Sequence, residues 1–133
     1  FSLVEVIIGM NVLMVVMAGI FNLMFMGLHL EDKAAGTRLM NQAIQTEVET
    51  LRIRSWQHIK QLPSFQQIDA TAKYPDLSRY SAKLSRRIRS SNAGKKTVIF
   101  FFQWEDRYQH QHNGQVTTTI TKNGLGNSNY RHF

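Results

Sequence analysis

The sequence predicts an α+β fold: a long N-terminal α-helix, apolar in its first half, packed through its second half on a small antiparallel β-sheet. Three observations predict it. A charge-free apolar run opens the 133-residue chain, an apolar stripe at helical spacing follows it, and the last third alternates β-branched and aromatic residues with polar ones. Hydrophobic residues make up 43% of the chain and aromatics 11%, which excludes wholesale disorder. The absence of cysteine excludes disulfides, cysteine-ligated zinc and iron–sulfur centres, and thiol catalysis. Lys and Arg outnumber Asp and Glu by 16 to 9, a net charge of +7 that favours polyanionic surroundings.

The first element, residues 1–30, carries the sharpest signal. Between Val6 and Leu30 there is no Asp, Glu, Lys or Arg, and the polar side chains are Asn11, Asn22 and His29 alone. About 20 apolar residues in a helix cross a hydrocarbon core of roughly 30 Å. A secretory signal peptide would put a basic segment ahead of a shorter run, so the run reads instead as a segment already processed before Phe1. A simple membrane anchor explains its length but not Glu5, because a carboxylate inside lipid is costly and usually functional.

The residues Phe1-Ser2-Leu3-Val4-Glu5-Val6-Ile7-Ile8 resemble the start of a mature type IV pilin or pseudopilin. That family's pattern is a Phe, often N-methylated, a Ser or Thr, two aliphatics, a Glu, and then an apolar stretch. The resemblance covers about a quarter of the chain. It implies a pilin-like fold, with Phe1 and Glu5 as assembly residues and Phe1 as the N-methylation site. Glu5 of one subunit would meet the Phe1 amine of a neighbour, a pairing that a low dielectric makes worthwhile. The partners implied are further copies of the chain or other pilins in a helical polymer, a prepilin peptidase, and an assembly machinery driven by a motor ATPase. The subunit would sit in the bacterial inner membrane before assembly and in an extracellular filament afterwards.

Residues 31–62 continue the helix. Met40, Ile44, Val48 and Leu51 recur at steps of four, four and three, followed by Trp56, Ile59 and Leu62, and Pro63 stops the run. A helix from about Ser2 to Gln61 would be about 90 Å long. Many type IV pilins place a Pro in the second half of the apolar segment, where the helix loosens in the filament. This chain has none before Pro63, which leaves Gly19 and Asn22 as the expected loosening points, with at most a short unwound stretch between Gly19 and Leu23.

Residues 63–79 read as a connection without clear period, in which Phe65 and Ile68 anchor a short helical turn. Residues 80–133 read as a sheet. The alternation Tyr80, Ala82, Leu84 resumes at Ile88 after a slip, Ser90 to Gly94 is a turn, and Thr97 to Trp104 is the strongest strand. Asn113-Gly114 is a hairpin signal that joins this strand to Gln115–Thr121, making a three-stranded meander. A strand ending Trp104-Glu105-Asp106, followed by a Thr-rich partner, resembles the hairpin of some minor pilins.

Other features suggest sharper chemistry but fall short of it. His110 and His112 are half of a metal site with no third ligand beside them in sequence, and read as an exposed hairpin tip. Asp69 and Asp76, with Lys73 between them, make a poor calcium cage, which wants six or more oxygens. The expected metal and cofactor content is none. Arg86, Arg87, Arg89, Lys95 and Lys96, with aromatics close by, form a candidate surface for nonspecific polyanion or DNA binding. No hydrolase, P-loop or zinc-protease motif is present, so the chain is expected not to be an enzyme. The leading expectation is a structural subunit of a type IV pilus serving adhesion, motility or DNA uptake. The alternative is a pseudopilin of a type II secretion system, and the plainest reading is a monomeric membrane-anchored binding protein.

Overall fold

A computed structural model describes residues 1–122 and 124–132, the latter stretch by its backbone. The expected sheet region 80–133 includes positions 123 and 133, which lie outside the described residues. The fold is α+β, a 51-residue helix and an antiparallel sheet, and the chain divides into two compact units, Phe1–Ala34 and Ala35–Phe133.

The first unit is helix throughout from Leu3, as part of helix α1 (Leu3–Ile53). It has the length and apolar composition to cross a membrane, with none of its most apolar window buried. The helix is unbroken through Gly19 and Asn22.

In the second unit, α1 ends at Ile53 rather than running on to residue 61. A new helix, α2 (Trp56–Gln61), starts after Ser55, whose extended backbone and hydroxyl cap it by accepting from the His58 N–H at 3.4 Å. Ser, weak inside a helix and strong at its start, explains the break. The connection then forms strand β1 (Phe65–Ile68), helix α3 (Ala70–Lys73) and a 3₁₀ helix from Pro75 to Tyr80. Asp69 caps α3, and the Ala72 N–H and Thr71 hydroxyl on its carboxylate hold its pKa below the ordinary value.

Five strands follow one another in sheet order: β1, β2 (Lys83–Asn92), β3 (Lys95–Glu105), β4 (Gln111–Thr121) and β5 (Gly124–His132), all antiparallel neighbours. The expected three-stranded meander is therefore the middle of a larger sheet. β1 was hidden because Phe-Gln-Gln-Ile is too short and polar to show a period. β2 has no slip between Leu84 and Ile88: Arg86 takes the intervening inward position, pairing with Phe100 on β3 and Gln66 on β1.

The inward face is Leu84, Ile88, Val98, Phe100, Phe102, Trp104, Val116 and Ile120, and it meets the expected stripe of Met40, Ile44, Val48 and Leu51 in one core. Trp104 is among the largest buried side chains of this core. Its ring stacks on His112 at 4.3 Å between centroids and meets Tyr80 edge-on at 5.5 Å. A Cβ added at Gly36 would lie 2.4 Å from that ring, so the helix approaches the sheet there through the glycine alone.

Asn113-Gly114 is not a turn. Both residues lie inside β4, opposite Gln103 and Phe102. Gly114 is needed for space, since a Cβ there would fall 2.4 Å from Phe102 Cζ. The reversal lies earlier and is built by Asp106. Its Oδ1 accepts the backbone N–H groups of Tyr108 and His110, each at 2.9 Å, and Gln109 turns the chain with a φ of 64°. An aspartate after a strand is a competent turn former, because its carboxylate stands in for a backbone carbonyl.

Candidate functional site

In the first unit the site is a surface, not a pocket. Leu3, Val4, Ile8, Leu13, Met14, Val15, Phe21, Leu23 and Phe25 are all exposed, on every side of the helix. A helix apolar all round is stable only when something apolar covers it. Gly9, Gly19 and Gly27 have open space where a Cβ would stand. Asn11 satisfies its amide locally, donating from Nδ2 to the Ile7 carbonyl at 2.8 Å. Such a bond lowers the cost of a polar side chain in an apolar setting.

Glu5 and Ser2 close a reciprocal cap on this helix. The Ser2 N–H donates to Glu5 Oε2 at 3.1 Å, and the Glu5 N–H donates to Ser2 Oγ at 3.2 Å. This capping box satisfies two donors that a helix start leaves without intrahelical partners. Ser2 is thus a working residue that the expected pair of Phe1 and Glu5 omitted, although its Ser-x-x-Glu spacing was readable. Phe1 is exposed, and no hydrogen bond or ion pair joins it to Glu5 within the chain among the described residues.

In the second unit the structure disperses the expected basic surface. Arg86 is 5% exposed and points inward, its Nη2 donating to Gln66 Oε1. Lys96 reaches the end of α2, where its Nζ donates to the carbonyls of Ile59 and Lys60 at 3.2 and 3.3 Å. A cation there satisfies terminal carbonyls and suits the helix dipole. Arg86 and Lys96 therefore leave the exposed strand surface, Arg86 because it turns inward and Lys96 because α2 holds it. Arg87, Arg89 and Lys95 remain exposed, with the Arg87 guanidinium 5.8 Å from the Phe101 ring centre.

Two polar clusters hold this unit. Glu47, 4% exposed, carries the Lys73 ammonium as an ion pair and accepts the Tyr74 hydroxyl at 2.8 Å. Burial, then the Glu47 carboxylate beside it, pushes the Tyr74 pKa upward. Asp106, 7% exposed, faces both histidines of the expected tip: His112 Nε2 lies 3.1 Å and His110 Nδ1 3.4 Å from Oδ2. Burial acts to raise the Asp106 pKa, but the His110 N–H, His112, the Tyr108 N–H and the His110 charge together lower it to about 2. His112 is half-buried against Trp104 rather than exposed. Sequence spacing alone pairs the two histidines with each other, whereas folding brings both to a carboxylate.

No family model matches the chain, and no curated protein and no solved structure matches it.

Proposed function

We propose that the chain is a non-enzymatic structural subunit of a bacterial type IV pilus, assembling through its N-terminal helix into a helical surface filament. The observation that carries this reading is the first unit: a helix exposed and apolar on all sides, whose only Asp, Glu, Lys or Arg before Glu31 is Glu5. Lipid covers such a helix before assembly, and the same helices of neighbouring subunits cover it afterwards. The antiparallel sheet unit, with its own core, supplies the outward body of each subunit.

Glu5 gives the polymer its register. In the single chain its carboxylate is held by the Ser2 N–H. In the filament it exchanges that neutral donor for the charged Phe1 amine of the next subunit, and a charge-assisted bond in an apolar setting is the stronger of the two. One helix then settles at one axial offset from its neighbour. Work for extraction from the membrane comes from a separate motor ATPase, after a prepilin peptidase has released Phe1 for N-methylation. The net charge of +7 per subunit lets the polymer hold DNA and other polyanions without sequence preference.

Electron microscopy of sheared surface material, wild type against Glu5→Ala, tests the proposal. Fibres containing this chain in the wild type and missing in the variant are expected. Fibres unaffected by Glu5→Ala overturn the pairing and leave the pilus. No fibres containing the chain in either strain overturn the pilus and favour the secretion pseudopilin or the membrane-anchored monomer.

A further inference from the structure

A cleft of about 470 Å³ opens in the second unit where α1, β1, α3 and β2 converge, and it is bordered by Glu47, Arg54, Gln66, Asp69, Lys73 and Arg86. Its charges do not pair off. Glu47 Oε1 is occupied by the Lys73 ammonium and the Tyr74 hydroxyl. Asp69 Oδ1 is occupied by the Ala72 N–H and the Thr71 hydroxyl of the helix it caps. Those neutral donors leave the Asp69 carboxylate charged, so two guanidinium groups face one remaining carboxylate, an excess of one positive charge on the cleft. Among the described residues neither forms a salt bridge: Arg86 donates to the neutral Gln66, and Arg54 meets His58 Nε2 at 3.0 Å.

Arg86 is the telling residue. It stands at an inward position of β2, between Leu84 and Ile88, where the strand pattern calls for an aliphatic side chain. It is 5% exposed, and its Nε has no hydrogen-bond partner. A buried cation without a paired anion, and with a donor left unmade, is costly in a fold. Glu47 attracts it from nearby, Arg54 repels it, and burial lowers its pKa most of all. Two planar guanidinium groups of like charge on one cleft suit a group with several acceptor oxygens.

We infer that this cleft is an oxyanion site, in which Arg54 and Arg86 together bind a phosphate or carboxylate group. The group comes from one of two sources, a free anion or an acidic side chain of a second copy of the chain.

The test is thermal unfolding of the full chain in a non-ionic detergent, titrated with inorganic phosphate at constant ionic strength against sodium chloride. A saturable rise in melting temperature with phosphate is expected, by binding to the folded state alone. Arg54→Gln, at an exposed position, is expected to melt as the wild type without phosphate and to bind it about tenfold more weakly, the loss of about 1.4 kcal/mol. Arg86→Met is expected to lose the phosphate response and to melt no lower without phosphate, because an apolar side chain fills the inward position. If Arg86→Met fails to fold, Arg54→Gln decides alone. Sedimentation of the same samples identifies the source. Phosphate that lowers self-association of the wild type but not of Arg54→Gln points to a neighbour's carboxylate; binding without that change points to a free anion. A phosphate response no larger than that of chloride, or one equal in Arg54→Gln, overturns the site.

Discussion

The two units of this chain use polar groups in opposite ways. In residues 1–34 the apolar face has no inside, and Asn11 and Glu5 are satisfied within a turn of themselves, by Ile7 and Ser2. In residues 35–133 the apolar face is covered by a sheet, and polar side chains reach across the sequence: Glu47 to Lys73 and Tyr74, Arg86 to Gln66, Lys96 to Ile59. The difference teaches where each unit obtains its stability. On the proposed reading the first depends on what surrounds it, lipid or other helices, and changing one of its residues is expected to alter association. The second depends on its own packing, and changing a residue of its core alters folding.

The largest effect expected from breaking this division lies at Asp106. Asp106→Ala strands the Tyr108 and His110 N–H groups and removes the partner of His112, so a loss of about 2 to 3 kcal/mol is expected. In a unit of this size that lowers the melting temperature by roughly 10 to 20 °C. The sign with pH follows from the lowered pKa. Folding keeps the carboxylate ionised down to about 2, against 3.8 for an ordinary aspartate, so its contribution is complete above 3.8 and fades as pH falls toward 2. Melting curves of wild type and Asp106→Asn between pH 5 and pH 2 check this: the gap between them is expected to narrow as the acid end is reached. A constant gap would show that the hydrogen bonds of the turn do not depend on the charge.

Gly36→Ala comes next. The new methyl would lie 2.4 to 2.8 Å from three atoms of the Trp104 ring, which Tyr80 and His112 hold in place. Overpacking of this kind costs ~1–3 kcal/mol, partly offset by the ~1 kcal/mol that alanine gains over glycine in a helix. A net loss of about 1 to 2 kcal/mol is expected in urea unfolding, with near-ultraviolet circular dichroism of Trp104 altered. An unchanged midpoint would mean that the Trp104 ring shifts freely.

What was legible in the sequence follows the same division. The apolar helix is a matter of composition along a single stretch, so its apolar character and its lone carboxylate could be read before folding, whereas its end at Ile53 and not residue 61 could not. The stripe from Met40 to Leu51 and the strand through Phe100 were equally plain, because periodicity is local. Errors arose where a residue answers to something distant. Gly114 has the signature of a turn but is small for the sake of Phe102 on the next strand. Arg86 has the signature of a surface cation but stands opposite Phe100. Asp106 shows its role only once the chain has reversed and brought His112 back to it.

The smallest effect on folding is expected at Gly19→Ala, and for that reason it sharpens the comparison most. The position has nothing within 4 Å of a new Cβ, lies in unbroken helix, and belongs to the unit without a core of its own. Alanine should firm the helix locally by about 1 kcal/mol and leave the melting of the sheet unit unchanged within about 0.5 kcal/mol. If the helix loosens at Gly19 and Asn22 when subunits assemble, the firmer variant should form fewer or stiffer fibres, counted in sheared surface material, while its sheet unit melts normally. Normal fibres with normal melting would show that the helix enters the polymer intact. A lowered melting temperature would instead show that the two units share stability, and the division drawn between them would fail.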